Sequence, residues 1–174
     1  MSDFSFGGGG GVLPAGTMVG WQDYSDSATA ITPIALSGTP APLTNNGLGP
    51  FTNKGYGVVG HGDIWDTTAN EFDWTSLKLG DTLDVRVDVT VTTSGPSRSI
   101  SSILELAIGT AGPYSLNFDS RDYKNAGTYD LVRFVGLYIG DANTLTGGAR
   151  ITMTSDGNGD TVVVNGWYVR TLVR

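Results

Sequence analysis

The residue types that most often carry acid–base or metal chemistry are sparse in this chain. The sequence contains one histidine and no cysteine. The histidine, His61, stands in VVGHGDIWD, where Asp63 and Asp66 follow it. A metal site or proton relay built on imidazole needs further ligands, and no second histidine is present. A serine nucleophile would also need a base such as histidine held close to it, and His61 is the single candidate. Because glycines flank His61, we interpret it as a polar loop residue.

Carboxylate pairs are the remaining source of hydrolytic chemistry. They come from two stretches, which hold Asp63, Asp66, Glu71 and Asp73, and Asp119 and Asp122. Glycoside hydrolysis needs two carboxyl groups at a fixed separation, which sequence spacing does not give. Most of these aspartates stand in turn-like surroundings, where Asp bonds its own backbone. No nucleophile, base and oxyanion donor can be nominated together, so we predict no catalytic residue, no cofactor and no enzymatic role.

The segment SDGNGD resembles the first half of a calcium loop. Asp156, Asn158 and Asp160 alternate as calcium ligands would. Thr161 then stands where the turn-forming glycine is needed, and Trp167 stands where such a loop has its bidentate glutamate. We therefore predict a hairpin turn between two strands and no metal ligands.

The beginning of the sequence, MSDFSFGGGGGVLPAG, combines two phenylalanines with a run of five glycines. A phosphate-binding loop would need a Gly-Lys-Ser/Thr ending before a helix, which is missing. Glycine loses the most backbone entropy on ordering, so residues 1–16 are predicted to be a flexible tail. Phe4 and Phe6 are then either incidental residues of a frayed chain end or docking side chains on a tether.

Composition and charge narrow the class of partner. The chain has 174 residues, a size that suits one domain plus a tail. Its formal net charge is −7, and its ten basic residues are scattered. Phosphate contacts need clustered Lys and Arg, so we predict no nucleic-acid partner. No apolar run reaches the roughly 18 residues of a membrane span, so we predict no membrane partner.

Period-2 alternation is the main secondary-structure signal. Between residues 83 and 92, Leu83, Val85, Val87, Val89 and Val91 share one face and Asp84, Arg86, Asp88, Thr90 and Thr92 the other. Further strands are predicted at 101–109, 114–119, 128–139, 148–155 and 161–173, with one or two early strands in 17–36 and no helix of any length. Strands at this spacing predict an all-β antiparallel sandwich, with the jelly roll as its form.

Two predicted strands carry apolar residues on both faces. In 128–139, Tyr129, Leu131, Val135, Leu137 and Ile139 oppose Val132, Phe134 and Tyr138, and in 161–173, Val162, Val164, Tyr168 and Leu172 oppose Val163, Trp167, Val169 and Val173. A sandwich strand buries one face, so the second face needs a cover. We predict that copies of the chain supply it through Val132, Phe134, Tyr138, Trp167 and Val169. The alternative cover is the chain's own loop in 37–62.

Three segments resemble trimeric jelly-roll modules in virion proteins of tailed bacteriophages, which are similar in architecture to the tumour-necrosis-factor and C1q heads. They are FDWTSLKLGDTLDVRVDVTV (72–91), LYIGDANTLTGGARITMTSDG (137–157) and VVVNGWYVRTLVR (162–174). The resemblance covers about residues 63–174 and implies a homotrimer with the last strand near the three-fold axis. It also implies an N-terminal segment that anchors the module to the particle.

The resulting expectation is a structural virion protein, assembled in the host cytoplasm. Residues 1–16 form the tail, 17–62 an extended arm with early strands and a long loop, and 63–174 the jelly roll. As a capsid decoration (cement) or head-fibre protein, it would trimerise and dock on the major capsid protein or another virion protein through Phe4 and Phe6. The alternative expectation is a receptor- or glycan-binding head of a tail fibre, with loop-borne tyrosines and tryptophans on host sugars.

Overall fold

The computed structural model describes residues 18–25, 29, 31–44, 57, 58 and 61–174. They form two antiparallel β-sheets packed face to face, which confirms the predicted all-β sandwich. Sheet A contains β1 (Met18–Ser25), β2 (Ile34–Leu36), β6 (Thr82–Thr93), β9 (Gly127–Tyr138) and β11 (Asp160–Val173). Sheet B contains β3 (Ala41–Pro42), β4 (Trp65–Asp66), β5 (Glu71–Phe72), β7 (Arg98–Ile108), β8 (Tyr114–Tyr123) and β10 (Gly148–Ser155). The sequence predicts no helix, whereas the described residues include one short helix, α1 (Ala142–Thr146).

The strand order is that of a jelly roll. The main path of sheet A runs β1-β11-β6-β9, and sheet B contains the path β5-β10-β7-β8. Each early strand therefore pairs with a late one: β1 with β11, β5 with β10, β6 with β9 and β7 with β8. The chain is in effect one long antiparallel ribbon, closed at the β7–β8 turn and rolled into two sheets.

The alternation predicted for β6 sets the layers of the sandwich. Leu83 and every second residue to Val91 are buried, while the residues between them are half-buried. The buried row faces Leu104, Ile151 and other apolar residues of sheet B in one core cluster. Burying each such side chain stabilises the fold by about 1.5–3 kcal/mol, so the two-residue repeat fixes which face of sheet A is the inner one.

A β-bulge at Asn165 explains the apparent second apolar face of β11. Val164 pairs with Val89, but Gly166 pairs with Asp88, so one residue is inserted. The insertion reverses the alternation, because the side-chain repeat of a strand is two residues. Even-numbered residues such as Val164 point inward before the bulge, and odd-numbered residues such as Trp167 point inward after it.

Thr29 completes the backbone hydrogen bonding beside this bulge. Along the edge of β11 that faces away from β6, β1 pairs with residues 166–173 and β2 pairs with residues 160–162. The Thr29 hydroxyl lies in the gap between them. It accepts the Val164 N–H at 2.9 Å and donates to the Val164 carbonyl at 2.7 Å. Thr29 is fully buried, so one side chain replaces two bonds that a strand neighbour would otherwise make.

The described part of the predicted arm, 17–62, belongs to the sandwich. β1 pairs with β11 along its whole length, from Met18↔Val173 to Ser25↔Gly166. Leu36 and Leu43 lie in the main core cluster. The jelly roll therefore includes β1, and residue 63 does not mark its start. The predicted tail 1–16, with Phe4 and Phe6, lies outside the described residues.

Candidate interaction surface

β9 forms one edge of sheet A. It pairs with β6 through twelve consecutive residues, Thr82↔Tyr138 to Thr93↔Gly127. In the described part of the chain, no strand pairs with its other side. An edge strand presents unpaired backbone groups and is a natural place for another chain to associate.

The outward face of β9 carries the apolar side chains that the sequence singles out. Val132 is 53% exposed, Phe134 64% and Tyr138 70%. The opposite set faces inward, where Leu131 and Ile139 are buried and the others are half-buried. We call Val132, Phe134 and Tyr138 the β9 surface. They lie on one face at every second or fourth position, and this cluster of exposed apolar side chains needs an explanation.

Charged residues of β6 border this surface. Arg86 lies opposite Phe134 and forms an ion pair of 3.0 Å with Asp88, which lies opposite Val132. Asp84, opposite Gly136, pairs with Arg170 of β11. Exposed ion pairs of this kind contribute roughly 0–1 kcal/mol to stability. They make a polar rim beside an apolar centre, which is the usual composition of an interaction surface.

Two of the predicted interface residues lie in the core instead. Trp167 is 1% exposed and Val169 is 0% exposed. The Trp167 ring centroid lies 5.7 Å from that of Trp65 and 5.3 Å from that of Phe72. The prediction that Trp167 and Val169 face another copy is therefore wrong, because the bulge at Asn165 turns both side chains inward.

On the outward face of β11, side chains from the neighbouring strands of the same chain pack against its apolar residues. Trp21 stacks on Tyr168, with ring centroids 5.8 Å apart. From β6, the neighbour on the other side of β11, the Arg86 guanidinium lies over the Tyr168 ring, 5.3 Å from its centroid. Val163 and Leu172 on this side are half-buried. The chain itself thus provides much of the cover that the sequence assigned to a partner.

A second group of exposed apolar side chains lies on β1 and was not predicted from the sequence. Met18 is 46% exposed and Val19 is 54% exposed. Val19 pairs with Leu172 at the same end of sheet A as Tyr138. The early strand alternates only loosely, so its sequence does not indicate which residues face outward.

Two of the candidate catalytic carboxylates, Asp66 and Asp73, accept hydrogen bonds within their own turns. Asp66 accepts the N–H groups of Thr68 and Ala69, and Asp73 accepts the N–H and hydroxyl of Thr75. These are the local turn contacts that favour Asp in loops.

Two other candidates form ion pairs across strands. Glu71 and Glu105 both bind Arg150, at 3.2 and 2.6 Å, and Asp119 binds Arg133 of β9 at 2.6 Å. His61 donates its backbone N–H to Val58, and the described residues contain no group of three or more His, Asp or Glu that could hold a metal ion.

The predicted turn in SDGNGD connects β10 and β11. Gly159 has a φ of +84°, a conformation that glycine adopts without a steric cost. Asp160 is fully buried and accepts the N–H and hydroxyl of Ser94 at 2.7 and 2.8 Å and the Ser155 hydroxyl at 2.5 Å. Arg98 lies 3.4 Å away. Asp160 therefore joins the β6–β7 and β10–β11 turns.

In the described residues, eight strands follow the jelly-roll path, and β2, β3 and β4 are short accessory strands. No protein-family model and no curated protein matches it. It is similar to dimeric latent PorU from Porphyromonas gingivalis, with 13% identity and a TM-score of 0.39 over 99% of this chain and 14% of that one. It is also similar to the coat protein of Tobacco streak virus, with 14% identity and a TM-score of 0.33 over 94% of this chain and 90% of that one.

The chain thus spans about a seventh of PorU. No helix of the described residues is long and apolar enough to cross a membrane.

Proposed function

We propose that this protein is a structural component of a virus particle that assembles as a homotrimer through the β9 surface. Jelly rolls are used by viral capsid proteins, lectins and cupins, so the fold alone does not choose among them. The observation that favours assembly is the exposure of Val132, Phe134 and Tyr138 on an edge strand. A partner copy would remove these side chains from water, which is the main driving force of stable association.

Because Trp167 and Val169 are buried in the core, the trimer is not proposed to form through β11, as the sequence had suggested. β11 lies inside sheet A, between β1 and β6, whereas β9 lies at the edge. The three-fold axis is therefore proposed to run beside β9 rather than beside the last strand. The rim of Arg86, Asp88 and Asp84 then surrounds the apolar contact and fixes its orientation.

Phe134→Asp tests the assembly. Burial of a phenylalanine contributes about 1.5–3 kcal/mol, so its loss together with a buried carboxylate should weaken association by more than about tenfold. We expect light scattering after gel filtration to give three times the 18.2 kDa chain mass for the wild type and a smaller species for the variant. Ile31→Asp is the matched control, because Ile31 is 84% exposed but lies outside the β9 surface. A monomeric wild type contradicts the proposal.

The proposed particle contact is made by the N-terminal tail. Phe4 and Phe6 dock on the major capsid protein or another virion protein, and the glycines that follow allow the tail to adapt to the particle surface. Three tails on one trimer raise one another's effective concentration, which strengthens attachment without any new contact. The role requires no catalysis, cofactor, nucleic acid or membrane and places the protein in the virion.

Deletion of residues 1–11 is expected to abolish binding to particles and to leave the oligomeric mass unchanged. Co-sedimentation with particles that lack the protein measures the bound fraction. Phe4→Ser with Phe6→Ser should have the same effect as the deletion, because both docking side chains are lost while the glycine run is kept. Ser2→Ala with Ser5→Ala is the control in the same segment. Unchanged occupancy after the deletion would exclude the tail as the anchor.

A further inference from the structure

A cleft opens between the two sheets where β8 begins and β9 ends. Its volume is about 210 Å³, and its walls include Tyr114, Leu116, Leu137, Tyr138 and Asp141. Pockets that hold drug-sized ligands measure roughly 300–1,000 Å³, so this one admits a single ring. Leu116 and Leu137 supply an apolar surface, while the tyrosine hydroxyls and the carboxylate supply polar groups.

Hydrogen bonds from α1 position the ring of Tyr114. The Thr144 hydroxyl donates to Asp141 at 3.0 Å and lies 3.1 Å from the Tyr114 hydroxyl. A hydroxyl has one proton to donate, so Tyr114 is the donor in the second bond. The oxygen of Tyr114 then keeps its lone pairs available to a hydroxyl of a ligand. Tyr114 is 40% exposed although it is held in place.

Backbone contact positions the ring of Tyr138. A Cβ atom at Gly140 would lie 2.5 Å from Cε2 of this ring, so the ring packs directly against the glycine. Tyr138 is nevertheless 70% exposed. Both aromatic walls of the cleft thus rest on protein atoms in the absence of a ligand, which lowers the entropy cost of ordering them on binding.

The charge of the cleft selects among ligands. The backbone N–H of Thr144 and then its hydroxyl lower the pKa of Asp141 below its ordinary value of 3.8, so the carboxylate is ionised at neutral pH. Asp141 and the net charge of −7 repel anions such as phosphates. An ionised carboxylate also disfavours a purely apolar group. Among uncharged ligands, a ring with several hydroxyl groups fits both restrictions.

We propose that this cleft binds one neutral sugar ring of a glycan. The apolar face of the sugar packs against Tyr114 and Tyr138, and its hydroxyl groups donate to the Asp141 carboxylate and the Tyr114 oxygen. Aromatic rings with a polar group suit ligands that are apolar on one side and hydrated on the other. Tyr114 and Asp141 lie outside the β9 surface, whereas Tyr138 belongs to it, so Tyr114 is the residue that tests the sugar site separately from the trimer.

Amide NMR of the full chain tests the site, with the methyl glycosides of glucose, galactose, mannose, N-acetylglucosamine and rhamnose as probes. We expect at least one glycoside to shift the amide signals of Gly136, Leu137 and Gly140. Tyr114→Ala should weaken that binding about tenfold, the loss expected for one aromatic contact. Tyr138→Ala should weaken binding similarly and, because Tyr138 also belongs to the β9 surface, should lower the oligomeric mass as well. Ile31→Ala is the control.

The outcomes separate this inference from the proposed function. Phe134→Asp should lower the oligomeric mass without weakening sugar binding, and Tyr114→Ala should weaken sugar binding without changing the mass. The sugar site is overturned if no probe shifts the three amide signals, if the shifts centre elsewhere, or if neither tyrosine variant weakens binding. A monomeric wild type that binds a glycoside in the cleft overturns the trimer alone.

Discussion

Replacement of Asp160 by Asn is expected to lower the free energy of unfolding by about 3–5 kcal/mol at neutral pH. The buried carboxylate accepts three hydrogen bonds from Ser94 and Ser155 and lies beside Arg98. An amide of the same shape cannot accept all three bonds and leaves the Arg98 charge without its partner. Urea unfolding followed by tryptophan fluorescence gives the free energy.

Asp156→Asn is the matched control in the same turn. Asp156 is exposed, and its carboxylate accepts the Ser99 N–H at 3.0 Å. A single bond of this kind contributes roughly 0.5–1.5 kcal/mol, so the control should lose far less stability than Asp160→Asn. Equal losses in the two variants would show that the buried network is not what stabilises these turns.

The contribution of Asp160 should also depend on pH. Burial by itself raises the pKa of this carboxyl. Hydrogen bonds from Ser155 and Ser94 and the charge of Arg98 lower the pKa by more than burial raises it, so the folded pKa lies below 3.8. A carboxyl with a lower pKa in the folded state stabilises fully above its unfolded pKa and loses this effect as the pH falls through the folded pKa. The stability difference between wild type and Asp160→Asn should therefore be constant above about pH 5 and shrink below 3.8. A difference that stays constant at lower pH would contradict the network.

Trp167→Ala should also reduce stability by about 3–5 kcal/mol, because a large cavity would open between the sheets. The ring packs against Trp65 and Phe72, which joins β11 of sheet A to β4 and β5 of sheet B. Most small domains have a total stability of about 5–15 kcal/mol, so the loss is a large fraction. Urea unfolding measures it, and light scattering below the unfolding transition measures the mass.

Val163→Ala is the control for this prediction. Val163 lies on the same strand, but its half-buried side chain faces outward, so its truncation should cost about 1 kcal/mol or less. In the folded state, Trp167→Ala should keep the oligomeric mass of the wild type. A small loss of stability combined with a lower mass would instead place Trp167 at a subunit interface.

The sequence alone was sufficient for the class of fold and for local features. The alternation in 83–92 and the turn in SDGNGD can both be predicted, because each depends on neighbouring residues. The inner and outer sets of β9 are also separated correctly by the two-residue repeat. These features are local, since a regular strand needs no knowledge of its partner to alternate.

Only the tertiary structure decided which apolar faces are left uncovered. One inserted residue at Asn165 moves Trp167 and Val169 into the core, and an insertion of this kind is defined by pairing with β6, more than 70 positions earlier in the sequence. The same holds for the place of β1 beside β11 and for the cleft that brings Tyr114 to Asp141. Contacts between distant segments decide which side chains of a strand point inward and where the strand lies in its sheet. The local repeat that identifies a strand therefore does not determine what covers it.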